Sequence, residues 1–318
     1  MMLSCGDALI DFVPITAADG RDAVRPAVGG SCLNVAVGLS RLGAPTGFVG
    51  GISTDLFGRM IADHAAASGV DITYATRSDR QTTLAFVRIV GGESQYAFYD
   101  AATAAREWTF LRDTIPFDGI DALHVGSTTL VHDQGAAETT ALITAAKPTA
   151  TIAFDPNCRP NLVKDIDAYR ARIDAFANSA DIVKMSDVDF NYLHGEDAYA
   201  GRASALLSRG PSLVVITRGN QGAQAWHRNA GMIEVEAPQV EVVDSIGAGD
   251  SFQAALLYAL HALGRIATGP LRQINADELR RVLSFAAACA AITCGRVGAN
   301  PPWRADLPGR MLESLRGA

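Results

Sequence analysis

The segment Asp244-Ser245-Ile246-Gly247-Ala248-Gly249-Asp250 carries the clearest chemistry in this chain. Gly247 and Gly249 bracket a small residue directly before a stretch patterned as a helix, predicted from about Asp250 to Ala262. The first N–H groups of a helix have no intrahelical acceptor, and with no side chain in the way they hold an anion. An acid at that place repels phosphate. Asp250 makes sense there as a base that takes a proton from an attacking hydroxyl while neighbouring N–H groups hold the developing charge. Taken alone, the same residues also describe an ordinary N-cap after a glycine turn.

A second glycine pair opens Gly29-Gly30-Ser31-Cys32-Leu33-Asn34-Val35-Ala36. Glycines before a helix let the backbone approach a ligand closely. Asn34, one turn in, offers both a donor and an acceptor to a sugar hydroxyl. Other phosphate-handling schemes are excluded. The only lysines are Lys147, Lys164 and Lys184, and none follows a glycine, so no G-x-x-x-x-G-K-[ST] loop exists. Neither H-R-D nor D-F-G appears, and no G-x-G-x-x-G follows the first strand.

These segments need a scaffold, and the hydrophobic pattern supplies one. Strands are predicted at the N-terminus, Thr46–Val49, Ala122–Val125, Thr151–Asp155, Asp181–Lys184 and Leu213–Thr217. Helices are predicted from Ser31 to Gly43, up to Ser68, and over Gly135–Ala146, Ala168–Asn178, Ala198–Ser208 and Glu278–Thr293. Such alternation implies an α/β fold with a mostly parallel central sheet and helices on both faces. Residues 81–99 break the rhythm. Leu84, Phe86, Ile89, Tyr96 and Phe98 around Gly91-Gly92 read as an antiparallel hairpin, while Val13–Val28 is polar and turn-rich. The organisation that follows is a core of residues 1–11, 29–80 and 101–318 with a small β-sheet lid of residues 12–28 and 81–100. A lid over a cleft excludes water from a reaction.

Composition agrees. The chain has 318 residues, 48% of them hydrophobic, enough for a sizeable core. Its formal net charge of −7 argues against a nucleic-acid surface. The five cysteines are scattered with no C-x-x-C, so neither a disulfide framework nor a zinc module is expected. No secretory n-region and no stretch long enough to span a bilayer is present, which points to a cytoplasmic protein with no membrane partner.

Four segments appear in one order along nearly the whole chain. They are Gly6-Asp7-Ala8-Leu9-Ile10-Asp11, the Gly29–Ala36 segment, the loop Gly50-Gly51-Ile52-Ser53-Thr54-Asp55-Leu56-Phe57-Gly58, and Asp244–Asp250. In this they resemble the ribokinase-like (PfkB) carbohydrate kinases. Phe154-Asp155-Pro156-Asn157-Cys158-Arg159-Pro160-Asn161-Leu162 resembles the fructokinase branch. The resemblance implies transfer of the ATP γ-phosphate to a primary sugar hydroxyl, fructose to fructose 6-phosphate, with ATP as co-substrate and Mg²⁺. It makes Asp250 the base and Gly247, Ala248 and Gly249 the anion hole. It places Asp11, Gly29, Gly30, Asn34, Asn157 and Arg159 on the sugar, and Lys184, Thr217, Arg218, Gly219 and Gly222 on the nucleotide. Asp189 would meet Mg²⁺ through water, and Asp244, Ile246, Thr293, Arg296 and Gly298 would frame a K⁺ site.

The chain also departs from the family pattern. Ser186-Asp187-Val188-Asp189 replaces the usual N-x-x-E, and Val163 replaces a tryptophan. Pro302 stands where relatives supply a hydroxyl to K⁺. Asp100 stands where many carry arginine, and a carboxylate facing the cleft would disfavour sugar acids. Kinases for ribose, 2-keto-3-deoxygluconate or a nucleoside are the alternatives within the class, and a non-catalytic sugar sensor is the alternative outside it. The apolar lid residues Phe86, Tyr96 and Phe98 permit a homodimer through the lid.

Overall fold

The computed structural model describes residues 1–90, 93–195 and 198–315. An eight-stranded sheet runs in the order Gly231–Val235, Ala223–His227, Leu213–Thr217, Ile182–Ser186, Thr151–Asp155, Ala122–Gly126, Met2–Cys5, Thr46–Val49. Every neighbour pair from Leu213–Thr217 to Thr46–Val49 is parallel, and the Ala223–His227/Gly231–Val235 hairpin adds antiparallel at the other edge. Continuous apolar strands serve both faces. Leu213 and Val215 join the cluster packed on one side, with Leu256 and Leu283, while Val214 and Ile216 join the other, with Phe154 and Phe176. The helices Ser31–Arg41, Ala248–Ala262 and Ala276–Cys294 contribute to the first cluster; Asp133–Ala146, Ile166–Ser179, Asp187–His194 and Tyr199–Arg209 contribute to the second.

The strand Met2–Cys5 pairs with Thr46–Val49 on one side and Ala122–Gly126 on the other. The chain therefore reverses its direction of travel across the sheet at this strand. Such a switch point leaves a crevice at the carboxyl ends of the strands. Asp7, Thr128 and Asn157 all follow strands at that end.

The second sheet has four strands in the order Asp22–Gly29, Leu9–Thr16, Leu84–Val90, Glu93–Tyr99. Val13–Val28 is thus not mainly turn: it fills most of two paired eight-residue strands. Their polar look reflects a sheet with solvent over much of its area, where half-buried strands carry few apolar residues. The pairing of Leu84–Val90 with Glu93–Tyr99 is antiparallel as expected, and the Gly91-Gly92 turn between them lies outside the described residues. Alternation separates the faces. Ala85 and Val87 are buried and pair with Phe98 and Tyr96, whereas Phe86 and Tyr99 are exposed and Phe86 stacks on Phe12, ring centres 4.7 Å apart.

The eight-residue helix Asp187–His194 was hidden behind a motif read only for its metal chemistry. Ser186 caps it, accepting from Asp189 N at 3.0 Å, and the Asp189 carboxylate returns to Ser186. This is a capping box with aspartate in the reciprocal place.

The helices Ser31–Arg41 and Ala248–Ala262 cross at Gly38. A Cβ there would stand 2.7 Å from the Ala254 Cβ, closer than packed carbons approach. Ser31, Asn34 and Gly38 share one helical face, and so do Asp250 and Ala254. We predict opposite outcomes for two Gly→Ala changes in helices. Gly201→Ala, with open space around it, stabilises by up to about 1 kcal/mol through helix propensity. Gly38→Ala has the same propensity gain yet lowers the melting temperature. A rise for Gly38→Ala would show that the two helices can separate freely.

Candidate active site

The helix Ala248–Ala262 starts at Gly247, whose φ of 76° is the left-handed region that glycine tolerates. A Cβ there would also lie 2.6 Å from the Ala299 side chain. The Ala248 N–H is bonded to the Ser245 carbonyl at 3.2 Å, whereas the Gly247 and Gly249 N–H groups have no acceptor among the described residues. Of the three residues expected to form an anion hole, only the two glycines leave their N–H groups open in this way. Below it lies Lys184, its Nζ 3.2 Å from the point where a Gly249 Cβ would stand. Lys184 is buried in the strand Ile182–Ser186 and paired with Asp155 at 2.7 Å. Burial works against its charge, but the carboxylates of Asp155, Asp189 and Asp250 hold its proton more tightly than usual.

Asp250, 7% exposed, sits in the first turn of this helix. Ser31 Oγ donates to its Oδ1 at 2.7 Å and Asn34 Nδ2 donates to its Oδ2 at 2.8 Å. Burial raises its proton affinity, and these two donors restrain the rise. The Asn34 amide was expected on the sugar. Its Nδ2 donates to Asp250, its side chain also lines the cleft described next, and Ser31, given no role from sequence, is an equal partner of Asp250.

Asp7, Asp11, Gly30, Asn34, Tyr96, Phe98, Thr128, Arg159, Ile246, Gly247 and Asp250 line one cleft. Asp7 is buried and pinned, accepting from Cys32 N at 3.0 Å and Ser127 Oγ at 2.8 Å. Asp11 is raised to about 7, mainly by burial; Arg159 opposes the rise, and Asp7 and Asp250 add to it. Gly29 lies behind Asp11 rather than on the cleft, since a Cβ there would strike Asp11 Oδ2. Arg159 donates to the carbonyls of Asn157 (3.1 Å) and Cys158 (2.9 Å), and its guanidinium stands 5.6 Å from the Tyr96 ring centre. It joins the core to the small sheet, a cation–π contact from one to the other. Asn157 is off the cleft wall, with its side-chain oxygen buried and unpartnered.

A second cavity, about 300 Å³, lies across Ala248 and Gly249 from the cleft. Thr217, Gly219 and Gly222, the residues expected on the nucleotide, line it. Arg218 does not, because its guanidinium is held by Glu234 and the Gln221 carbonyl. The remaining walls, including Pro238, Val240, Val242, Ala287, Ala290 and Ala291, come from segments whose chemistry looked featureless in sequence.

The ion sites are less developed. Asp189 Oδ1 accepts from Cys158 N at 2.9 Å and its Oδ2 from Ser186 Oγ at 2.8 Å. Among the described residues no cluster of three or more His, Cys, Asp or Glu side chains could hold a metal. The loops with Asp244, Ile246, Thr293, Arg296 and Gly298 do meet, but the Asp244 carboxylate accepts from Ile246 N (3.0 Å) and Gly298 N (2.8 Å), and Arg296 pairs with Asp306. Thr293 is buried and donates to Cys289 O at 3.0 Å. Asp100 differs from expectation in a way that matters for charge. It is no bare carboxylate: His132 Nε2 lies at 2.6 Å and Arg106 Nη1 at 3.3 Å, so a cation offsets part of the repulsion foreseen for acids.

Residues 1–306 match the family model described as pfkB family carbohydrate kinase. The chain belongs to this family. The fructokinase of Rhizobium leguminosarum bv. trifolii is 37% identical over 280 residues, 88% of this chain and 86% of that protein. Fructokinase-1 of Oryza sativa subsp. japonica is 33% identical over 95% of this chain and 94% of its own. The crystal structure of the Xylella fastidiosa fructokinase with bound ATP superposes with a TM-score of 0.86 at 28% identity, covering 99% of this chain and 97% of the other. The ribokinase-like fold and carbohydrate kinase class expected from the motifs are therefore those of this pfkB protein.

The raised Asp11 gives a pH prediction. Its folded pKa, about 7, lies above the ordinary carboxylate value of 3.8, so its contribution favours the fold below about pH 4 and is lost as pH rises through 7. Asp11→Asn removes that loss. The melting temperature of the variant relative to the parent should rise between pH 4 and pH 8. A relative fall over that interval contradicts the burial argument.

Proposed function

We propose that this carbohydrate kinase is a fructokinase, moving the γ-phosphate of ATP to the 6-hydroxyl of fructose in the cytoplasm. The observation that carries the reading is the position of Asp250. It faces the sugar cleft from the first turn of the same helix whose Gly249 borders the apolar cavity. ATP bound with its base in that cavity directs its phosphates to the Gly247 and Gly249 N–H groups and to Lys184 beneath them. Fructose is held by Asp11, Asn34 and Arg159, its 6-hydroxyl against Asp250. Asp250 takes the hydroxyl proton as the oxygen attacks the γ-phosphorus in line, and the glycine N–H groups and Lys184 hold the charge on the transferred group. Closure of the small sheet brings Tyr96 and Phe98 over the sugar and excludes water that would hydrolyse ATP.

Mg²⁺ supplies charge neutralisation on the phosphates when bound. With no protein cage among the described residues and Asp189 already hydrogen-bonded twice, the donor set suits a hydrated ion carried by ATP, with Asp189 reaching it through water. K⁺ fits the meeting of the Asp244–Ile246 and Thr293–Gly298 loops weakly, since Asp244 is occupied by two N–H groups and Pro302 has no hydroxyl. Modest activation by K⁺ over Na⁺ is expected; strict K⁺ dependence would contradict this.

The outer lid face presents Phe86 and Tyr99, 39% and 63% exposed. We read it as the surface where a second copy pairs. Tyr96 and Phe98 take no part, because they face the cleft.

Asp250→Asn keeps the size and removes the base. Turnover, read by coupled ADP release over a sugar panel with fructose and 2-keto-3-deoxygluconate, should fall at least ~10²-fold with sugar binding little changed. Fructose should exceed the sugar acid at least tenfold in kcat/KM for the wild type. A variant with over a tenth of wild-type turnover removes Asp250 from the mechanism, and a preference for the sugar acid removes fructose.

A further inference from the structure

We propose that a niche opening from the sugar cleft behind Phe98 is the subsite for a terminal hydroxymethyl group of the sugar, and that Asp100, Thr129 and His132 decide which sugars fit it. Asp7, Phe98 and Thr128 line both the niche and the cleft, so the two adjoin. Thr83, Asp100, Arg106, Thr129 and His132 complete its polar wall. Its volume is about 20 Å³. A water-sized group needs roughly 10–15 Å³ on the same measure. The niche therefore takes one small substituent and not a second ring.

Its polar atoms suit a hydroxyl. Thr129 is 6% exposed, and its Oγ1 is buried with no partner among the described residues, so its donor and acceptor are both unspent. Asp100 Oδ2 lies 2.6 Å from His132 Nε2 and its Oδ1 accepts from Arg106 at 3.3 Å. Each oxygen keeps a further lone pair. The His132 hydrogen bond is the main cause that holds Asp100 below the usual carboxylate range, so Asp100 accepts and does not donate. A hydroxyl entering the niche donates to Asp100 and accepts from Thr129. A methyl group leaves the buried Thr129 hydroxyl unpaired, which is the costly case for a buried polar atom. A carboxylate meets Asp100 and Asp7 together.

This subsite rests on the fructose reading. With the 6-hydroxyl at Asp250, the hydroxymethyl group on the anomeric carbon lies at the other end of the ring.

The test compares fructose with 1-deoxyfructose, in which that hydroxymethyl is a methyl. Catalytic efficiency is read by ADP release for wild type, Thr129→Val and Asp100→Asn. The wild type should favour fructose at least about tenfold. Each variant should shrink that preference at least about threefold, through KM for fructose and with kcat little changed. Removing an unpaired buried hydroxyl should hold or raise the melting temperature, so Thr129→Val separates recognition from folding. An unchanged preference in both variants, or no preference in the wild type, overturns the subsite while leaving fructose phosphorylation intact. Failure of the wild type to phosphorylate fructose overturns the fructose reading itself and the subsite with it.

Discussion

One buried carboxylate constrains much of this molecule. Asp250 has both oxygens engaged, one by Ser31 and one by Asn34, from a helix more than two hundred residues earlier in the chain. The two donors can reach it only because Gly38 lets the helices touch, so that i, i+3 and i+7 of one face i and i+4 of the other. The same helix start presents Gly247 and Gly249, whose N–H groups have no acceptor among the described residues. The proposed base and the proposed anion site then lie within one turn of backbone, and the geometry needs no flexible loop to assemble them.

Charge around this centre is layered. Below the glycines, Lys184 and Asp155 form a pair at 2.7 Å with both side chains 2% exposed. A buried pair of this kind rarely adds net stability, because desolvation offsets the attraction. Its value here lies in a fixed positive charge beneath the anion site. Towards the sugar the balance is negative, with Asp7, Asp11 and Asp250 against Arg159. Asp11 is raised to about 7 mainly by burial, with Asp7 and Asp250 adding to the rise and Arg159 opposing it.

The central sheet was legible because its strands are buried on both faces and its helices carry a clear period, as in Leu213–Thr217. The small sheet was legible only in part. Its second hairpin shows apolar alternation, whereas Leu9–Thr16 and Asp22–Gly29 run into solvent and look like loop. Ser186 and Asp189 sat in view as a capping pair, but a family motif drew attention to metal instead. In the site, Asp250, Gly247 and Gly249 could be named from local spacing. The pairings of Asp250 with Ser31, Lys184 with Asp155 and Asp100 with His132 could not, since each joins residues 29 or more apart and sequence carries no distance across a fold. Arg218 erred the other way: its place in a motif suggested the nucleotide, and Glu234, across the neighbouring strands, captured it.

The account stands on Asp250 being a base whose proton affinity is set by two opposing causes, burial raising it and the Ser31 and Asn34 donors lowering it. The pH dependence of kcat at saturating fructose and ATP, compared between wild type and Ser31→Ala, tests this most directly. Removing one donor should move the acid limb to higher pH, leaving the alkaline plateau closer to wild type than the acid side. A limb that stays where it was, or moves to lower pH, would contradict the assignment of Asp250 as the base held by Ser31.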